Sequence, residues 1–160
     1  MKLLEGTLGE MDENNPLVKK HSLTIRVLGR LELLEDHVGK AISKTVHATK
    51  HHRGKMVNIC VAYAGRDEIA SAIRETVADS GFPTKITAKS LTEHMFIGFP
   101  PLDLLVRTSG VYRLSDCMLW QCHQNTDFEV VGMNWPDFGS WDIGWILLRG
   151  QRRKRALAYV

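Results

Sequence analysis

Residues Met56 to Tyr63 form a nearly continuous apolar run. A short run rich in valine and isoleucine predicts a strand covered on both faces, as in a parallel sheet lying between helices. Parallel neighbours cannot be joined by a tight hairpin, so such a strand demands crossover segments on either side. The chain supplies them. Leu23, Ile25 and Val27 alternate with Thr24 and Arg26, the period of two that marks a strand, and Gly29 ends it. Val38, Ile42 and Val46 then recur every four residues, one face of a helix running to about Lys50. Beyond the apolar run Gly65 turns the chain. Ile69, Ile73 and Val77 make a second helical stripe, stopped by Gly81 and Pro83.

The alternation continues to the end. Ser90-Leu91-Thr92-Glu93 has the spacing of a capping box and predicts a short helix after it, broken at Gly98-Phe99-Pro100-Pro101. Leu104 to Val106 reads as a third buried strand and Phe128 to Val131 as a fourth. Between them Ser109-Gly110 is a turn, and Ser115 is placed to cap a helix carrying Met118, Leu119 and Trp120. After a break at Trp135-Pro136, Ser140 is placed to cap a last helix with Trp141, Trp145 and Leu148 on one side. Trp120, Trp141 and Trp145 are expected to bury core area. This order gives the α/β class: a mostly parallel β-sheet flanked by helices, in a single domain over residues 1–160.

Composition narrows the function. A hydrophobic fraction of 44% in 160 residues supports a real core. No apolar run approaches the ~20 residues of a membrane span, and Met1 to Gly6 is too short for a signal peptide, so the chain is expected to face the cytosol. The net charge of +3 is uneven, with Arg149, Arg152, Arg153, Lys154 and Arg155 gathered near the end. That run suits a helix terminus opposing its own dipole, and it also suits anionic lipid head groups. It lacks the aromatic interleaving of a nucleic-acid surface.

Cys60, Cys117 and Cys122 cannot form a disulfide framework without one left over, and read as small buried thiols. Cys122-His123 lacks the converging partners of a zinc site. His47, His51 and His52 read as solvated groups at a helix end. Neither a Gly-x-Gly-x-x-Gly element nor a Walker-type phosphate loop is present, which speaks against a generic nucleotide-binding domain.

In α/β sheets ligands bind beyond the carboxyl ends of the strands. Two loops lie there, one holding Gly65-Arg66-Asp67 and one beginning at Arg107. In the first, a plain turn with an acid in the first helical turn competes with a role near phosphate. The second, Arg107-Thr108-Ser109-Gly110-Val111-Tyr112-Arg113-Leu114-Ser115, is richer in chemistry. Arginine presents a planar fork to phosphate oxygens. A helix start offers free N–H groups, and Ser-Gly lets the backbone bend close to a ligand. The segment therefore suits a diphosphate seat, and equally a surface turn with solvated arginines and Ser115 as an N-cap.

The stretch Asp103 to Gln121, followed by Trp135-Pro136-Asp137-Phe138, resembles the C-terminal signature of the cis-prenyltransferases, the family of undecaprenyl and dehydrodolichyl diphosphate synthases. Ile25 to Gly29 and Asn58 to Arg66 resemble further segments of the family, and Thr108-Ser109 with Ser115-Asp116 resembles its eukaryotic, dolichol-making branch. The resemblance covers roughly residues 15–150. It implies that Arg107, Arg113 and Ser115 bind the diphosphate of isopentenyl diphosphate. It implies Mg²⁺ as cofactor and condensation with an allylic prenyl diphosphate to a long-chain cis-polyprenyl diphosphate, serving dolichol synthesis and protein glycosylation. It also implies the cytoplasmic face of the endoplasmic reticulum, in peripheral membrane contact, with a Nogo-B-receptor-type accessory subunit or dimer partner.

There are departures. The family's N-terminal third, with its Asp-Gly-Asn-x-Arg element and key aspartate, has no counterpart in this sequence, so the catalytic residue is unassigned and an incomplete family domain is expected. Val111 stands where many members have glutamate. The family's metal-binding acid falls near Thr126; Asp127 is the nearest candidate ligand, with Glu129 beyond it. The alternative function is a non-catalytic binding or regulatory subunit of a heteromeric cis-prenyltransferase.

Overall fold

The computed structural model describes residues 14–80, 86–98, 101–123 and 125–157, together with Gly6, Glu10 and Met11. Gly81 and Pro83, expected to stop a helix, and Phe99-Pro100 of the expected break lie outside them. The chain divides into two compact units, Met1–Glu68 and Ile69–Val160.

In the first unit, helix α1 (Pro16–His21) starts on a proline, and the Asn15 side chain accepts from the Leu17 N–H at 2.9 Å. Strand β1 (Thr24–Leu28) buries Ile25 and Val27 and turns Thr24 and Arg26 outward. Helix α2 (Asp36–Thr49) places Val38 and Ile42 against it, forming a small core with Val27 that Leu31, Leu34, Val46, Ile59 and Val61 surround. Strand β2 (Met56–Cys60) pairs parallel with β1, from Thr24↔Met56 to Leu28↔Cys60. Thr49, fully buried, accepts from the Ile25 N–H at 3.1 Å and donates to the Thr45 carbonyl at 3.0 Å, fixing the end of α2 to β1. His52 joins the same corner through the Leu23 carbonyl at 2.8 Å.

The chain leaves β1 at Gly29, with φ +125°, where an added Cβ would lie 2.0 Å from the Val61 carbonyl oxygen. Glycine is required by both conformation and space.

The apolar run folds differently from expectation. β2 ends at Cys60 rather than Tyr63, because Ala62 turns left-handed at φ 48°. Met56 is 55% exposed and no residue of β2 is fully buried. Among the described residues β2 pairs with β1 alone, so no second neighbour encloses it.

Helix α3 spans Gly65–Ser80. Helix α4 (Ala88–Glu93) is capped by Thr87: its side chain accepts from Ser90 N–H at 3.1 Å, and Ser90 Oγ accepts from Thr87 N–H at 3.0 Å. The sequence places the capping box three residues late. Ser90 is its reciprocal member rather than its cap, because a serine suits either position.

Strands β3 (Leu104–Arg107) and β4 (Asp127–Val130) pair parallel, from Leu104↔Asp127 to Arg107↔Val130. Both ladders are parallel; α2 forms the crossover between β1 and β2, whereas β3 and β4 are joined without a helix among the described residues, within the α/β class.

The expected helix from Ser115 does not form. Ser115, Asp116 and Met118 are left-handed, at φ 49°, 60° and 52°, whereas an N-cap needs extended backbone. The crossover is instead a series of turns held by side chains. Trp120 Nε1 donates to Thr92 Oγ1 at 3.1 Å, and Gln121 Nε2 donates to the Ile97 carbonyl at 3.1 Å.

Helix α5 (Ser140–Leu157) closes the described chain. Ser140 is its first helical residue, and the Asp142 side chain accepts from Gly139 N–H at 2.8 Å. Ile146 is buried on its inner side. Trp141 and Trp145, expected in the core, are 91% and 58% exposed, because they face away from the side that packs on β4.

His94 ties α4 to α3. Its Nε2 pairs with Asp79 at 3.0 Å, and its Nδ1 lies 2.8 Å from the Ser90 carbonyl and 3.2 Å from Thr76 Oγ1. The Asp79 carboxylate, then the Ser90 carbonyl, hold the His94 pKa above its ordinary value. A raised folded pKa stabilises below the unfolded value of about 6.5 and loses that contribution as pH rises through the folded value. An NMR titration should therefore show the His94 midpoint above that reference, and Asp79→Asn should lower it.

Candidate functional site at the carboxyl end of β3

Arg107 is the last residue of β3, and its carbonyl accepts from Val131 N–H at 2.8 Å as the ladder ends. The next residues continue the pairing without being strand. Ser109 N–H donates to the Met133 carbonyl and Gly110 N–H to the Val131 carbonyl, both at 2.8 Å. Ser109 and Gly110 are both left-handed, at φ 70° and 65°. Two such residues in succession reverse the chain tightly, so the loop after β3 is fastened to the loop after β4 by backbone alone.

Beneath that reversal is a cavity of about 280 Å³, lined by Leu105, Val106, Arg107, Thr108, Ser109, Leu114 and Cys117. The half-buried guanidinium of Arg107 and the exposed Ser109 supply its polarity, and the leucines and Val106 supply an apolar wall. Burial pushes the Cys117 thiol up, opposed by the Arg107 charge and reinforced by Asp116. The thiol is therefore kept protonated and is no nucleophile at neutral pH.

Arg113 and Ser115 stand exposed farther along the same loop, where Arg113 Nε donates to Ser115 Oγ at 3.1 Å. The structure thus brings two of the three expected ligands together and sets the third, Arg107, in the cavity wall. The described segment after Ser115 is turns rather than a helix, so it offers them no helix N-terminus.

The acids lie elsewhere. Asp127 opens β4, paired with Leu104, whereas Arg107 is paired with Val130. Three rungs at about 3.3 Å each put them about 10 Å apart along the ladder. Asp127 instead lines a smaller cavity of about 100 Å³ with Asp103, Leu104, Leu147, Gly150 and Gln151. Glu129 is buried, with Arg149 at 2.8 Å on one carboxylate oxygen and Arg153 on the other. That contact holds the Arg153 pKa up. Among the described residues no three His, Cys, Asp or Glu side chains converge as an ion site, so these residues do not form a magnesium centre by themselves. Sequence reasoning missed the role of Glu129 as an anchor for α5; the signal was two arginines four residues apart, on one helical face.

In the first unit, the loops beyond β1 and β2 are joined by Arg30, which pairs with Asp67 at 3.2 Å and also with Glu32. Asp67 is therefore engaged in the turn, and Arg66 is exposed.

Comparison with known proteins decides the family. The prenyltransferase family model described as "Putative undecaprenyl diphosphate synthase" matches residues 1–158. The chain belongs to the cis-prenyltransferase family. This cis-prenyltransferase chain is 36% identical, over 94% of its length and 59% of the relative's, to a dehydrodolichyl diphosphate synthase complex subunit of Schizosaccharomyces pombe. It is 34% identical to the corresponding subunit of Homo sapiens, over 98% of its own length and 48% of that protein's. A probable undecaprenyl diphosphate synthase from Campylobacter jejuni has the same fold, with a TM-score of 0.82 at 26% identity, covering 94% of this cis-prenyltransferase and 68% of that chain. The chain spans about half the length of the curated relatives it matches. No helix among the described residues is long and apolar enough to cross a membrane.

Proposed function

We propose that this chain takes part in prenyl transfer, condensing isopentenyl diphosphate with an allylic prenyl diphosphate to give a long-chain cis-polyprenyl diphosphate, the dehydrodolichyl form used for dolichol synthesis and protein glycosylation. The family match over residues 1–158 carries the reading. Arg107, Arg113 and Ser115 hold the diphosphate of isopentenyl diphosphate: two guanidinium forks and one hydroxyl offset its charge and fix its position. The new bond forms between the isopentenyl double bond and the first carbon of the allylic unit. The allylic carbon–oxygen bond breaks, diphosphate leaves, and a proton is lost from the isopentenyl unit. The guanidinium groups on the isopentenyl diphosphate lessen its repulsion of the allylic diphosphate brought beside it. The magnesium ion belongs to the same reading; Asp127 is its candidate ligand in this chain, and no step is assigned to it.

The eukaryotic relatives are named as complex subunits. In keeping with this, the chain works beside an accessory subunit of the Nogo-B-receptor type, in peripheral contact with the cytoplasmic face of the endoplasmic reticulum.

The test is incorporation of labelled isopentenyl diphosphate into a polyprenyl product by the purified chain given an allylic prenyl diphosphate as primer, alone and with the accessory subunit, in Mg²⁺. Label in a cis-polyprenyl product is the expected result. Binding of isopentenyl diphosphate without turnover in either mixture would instead make the chain a binding or regulatory subunit. No binding at all would remove the diphosphate seat.

A further inference from the structure

Ser109 stands in a backbone conformation that costs a serine more than a glycine. Its φ is 70°, and Gly110 follows at 65°. A reversal with two left-handed residues in succession is most readily built from Asn-Gly, Asp-Gly or Gly-Gly. The conformation itself has a structural reason, because it sets the Ser109 N–H on the Met133 carbonyl at 2.8 Å. Glycine would donate the same bond without a Cβ to crowd the turn. The backbone pairing therefore accounts for the turn and leaves the side chain unexplained.

Short polar residues tolerate the left-handed region where the side chain bonds the nearby backbone. Among the described residues the Ser109 hydroxyl makes no such bond. Ser115, also left-handed, differs in this respect, since its Oγ accepts from Arg113 Nε at 3.1 Å.

The surroundings of Ser109 supply a use for its hydroxyl. The exposed Ser109 and the half-buried Arg107 line one cavity of about 280 Å³, with Leu105, Val106 and Leu114 in its apolar wall. A hydroxyl beside a guanidinium suits an anionic oxygen: the guanidinium brings charge and a fork, and the hydroxyl donates one more hydrogen bond. Four of the seven left-handed residues other than glycine among the described ones, Ser109, Ser115, Asp116 and Met118, fall within this loop. Backbone strain gathered in this way marks segments that clamp a ligand.

We propose that the Ser109 hydroxyl is a further ligand of isopentenyl diphosphate, donating a hydrogen bond to a diphosphate oxygen beside Arg107. This deepens the diphosphate seat proposed above and rests on it.

The test is calorimetric titration of the full chain and its variants with isopentenyl diphosphate in Mg²⁺, with a thermal melt of each. Ser109→Gly should bind about tenfold more weakly, the loss of one hydrogen bond to a charged group at an exposed position. Its melting temperature should stay at or above the parent's, because the left-handed strain is relieved. Ser109→Ala should bind as weakly as Ser109→Gly, without any gain in melting temperature. Ser109→Asn accepts the left-handed region and offers an amide donor, and should recover binding to within about threefold of the parent. Parent affinity in Ser109→Ala overturns the proposal, and weak binding by Ser109→Gly alone then assigns its loss to a loosened loop. Arg107→Ala separates the two readings. If it weakens binding while both Ser109→Gly and Ser109→Ala bind like the parent, the seat stands and Ser109 alone is struck from it. If none of the three changes the affinity, or the parent chain does not bind, both readings fail.

Discussion

Replacing Arg107 with alanine is expected to weaken isopentenyl diphosphate binding by about 100-fold. Hydrogen bonds to charged groups are worth about 1.5–3 kcal/mol each, and a bidentate guanidinium contact makes two. Partial exposure of Arg107 and hydration of the free ligand return part of that, leaving roughly 3 kcal/mol, or about two decades. Arg107→Lys should retain the charge and lose the fork, for a drop of about tenfold. The loop should survive either change, because it is fastened by the backbone pairs Ser109–Met133 and Gly110–Val131 rather than by the arginine side chain. Calorimetric titration with isopentenyl diphosphate measures the affinity, and a thermal melt confirms the fold. Unchanged affinity in Arg107→Ala would place the diphosphate elsewhere.

The second large effect concerns stability. Glu129→Ala should destabilise the fold by about 2–3 kcal/mol, read from the midpoint of urea denaturation. Breaking a buried ion pair by removing one partner costs about 3–5 kcal/mol where the remaining charge stays buried. Here the side chains of Arg149 and Arg153 are 50% and 42% exposed, so they rehydrate and the loss falls below that range. Glu129→Gln should lose less, since an amide oxygen still accepts one hydrogen bond. A midpoint that does not move in Glu129→Ala would show that α5 is held on β4 by Ile146 and its apolar neighbours.

The legible parts of the fold were those with local signals. Period two at Val27, and period four at Val38 and Ile42, named the residues that form the first unit's core, and period two also named the buried Ile25. The same periodicity misled at Trp141 and Trp145. It reports that a helix has an apolar side, but not whether anything covers that side. Met56 to Tyr63 failed for a related reason: apolar content measures what a strand can bury, while burial depends on a second neighbour that β2 does not have among the described residues. Ser115 failed because serine and aspartate favour both N-caps and left-handed turns, and tertiary contacts of Trp120 and Gln121 chose between them.

The candidate site was half legible. An apolar strand ending in arginine and followed by Ser-Gly identified the loop, and the family resemblance supplied its ligands. The pairing of that loop with Val131 and Met133 joins segments distant in sequence, so no local pattern announced it. The clamp on Glu129 was hidden because an acid in a strand reads alike whether it awaits a metal or a pair of arginines.

Gly29 sets a boundary on how this sequence can drift. At φ +125°, with the Val61 carbonyl oxygen 2.0 Å from where a side chain would begin, alanine is excluded along with everything larger. Relieving that clash would move the end of β2 away from β1, and with it the Arg30 N–H bond to Ala62 that joins the two loops. In a library randomised along this chain, position 29 should thus return glycine alone, while the exposed Met56 and Asn58 of β2 accept wide replacement. A strand edge and the turn facing it, a few residues apart in space, would evolve under entirely different rules.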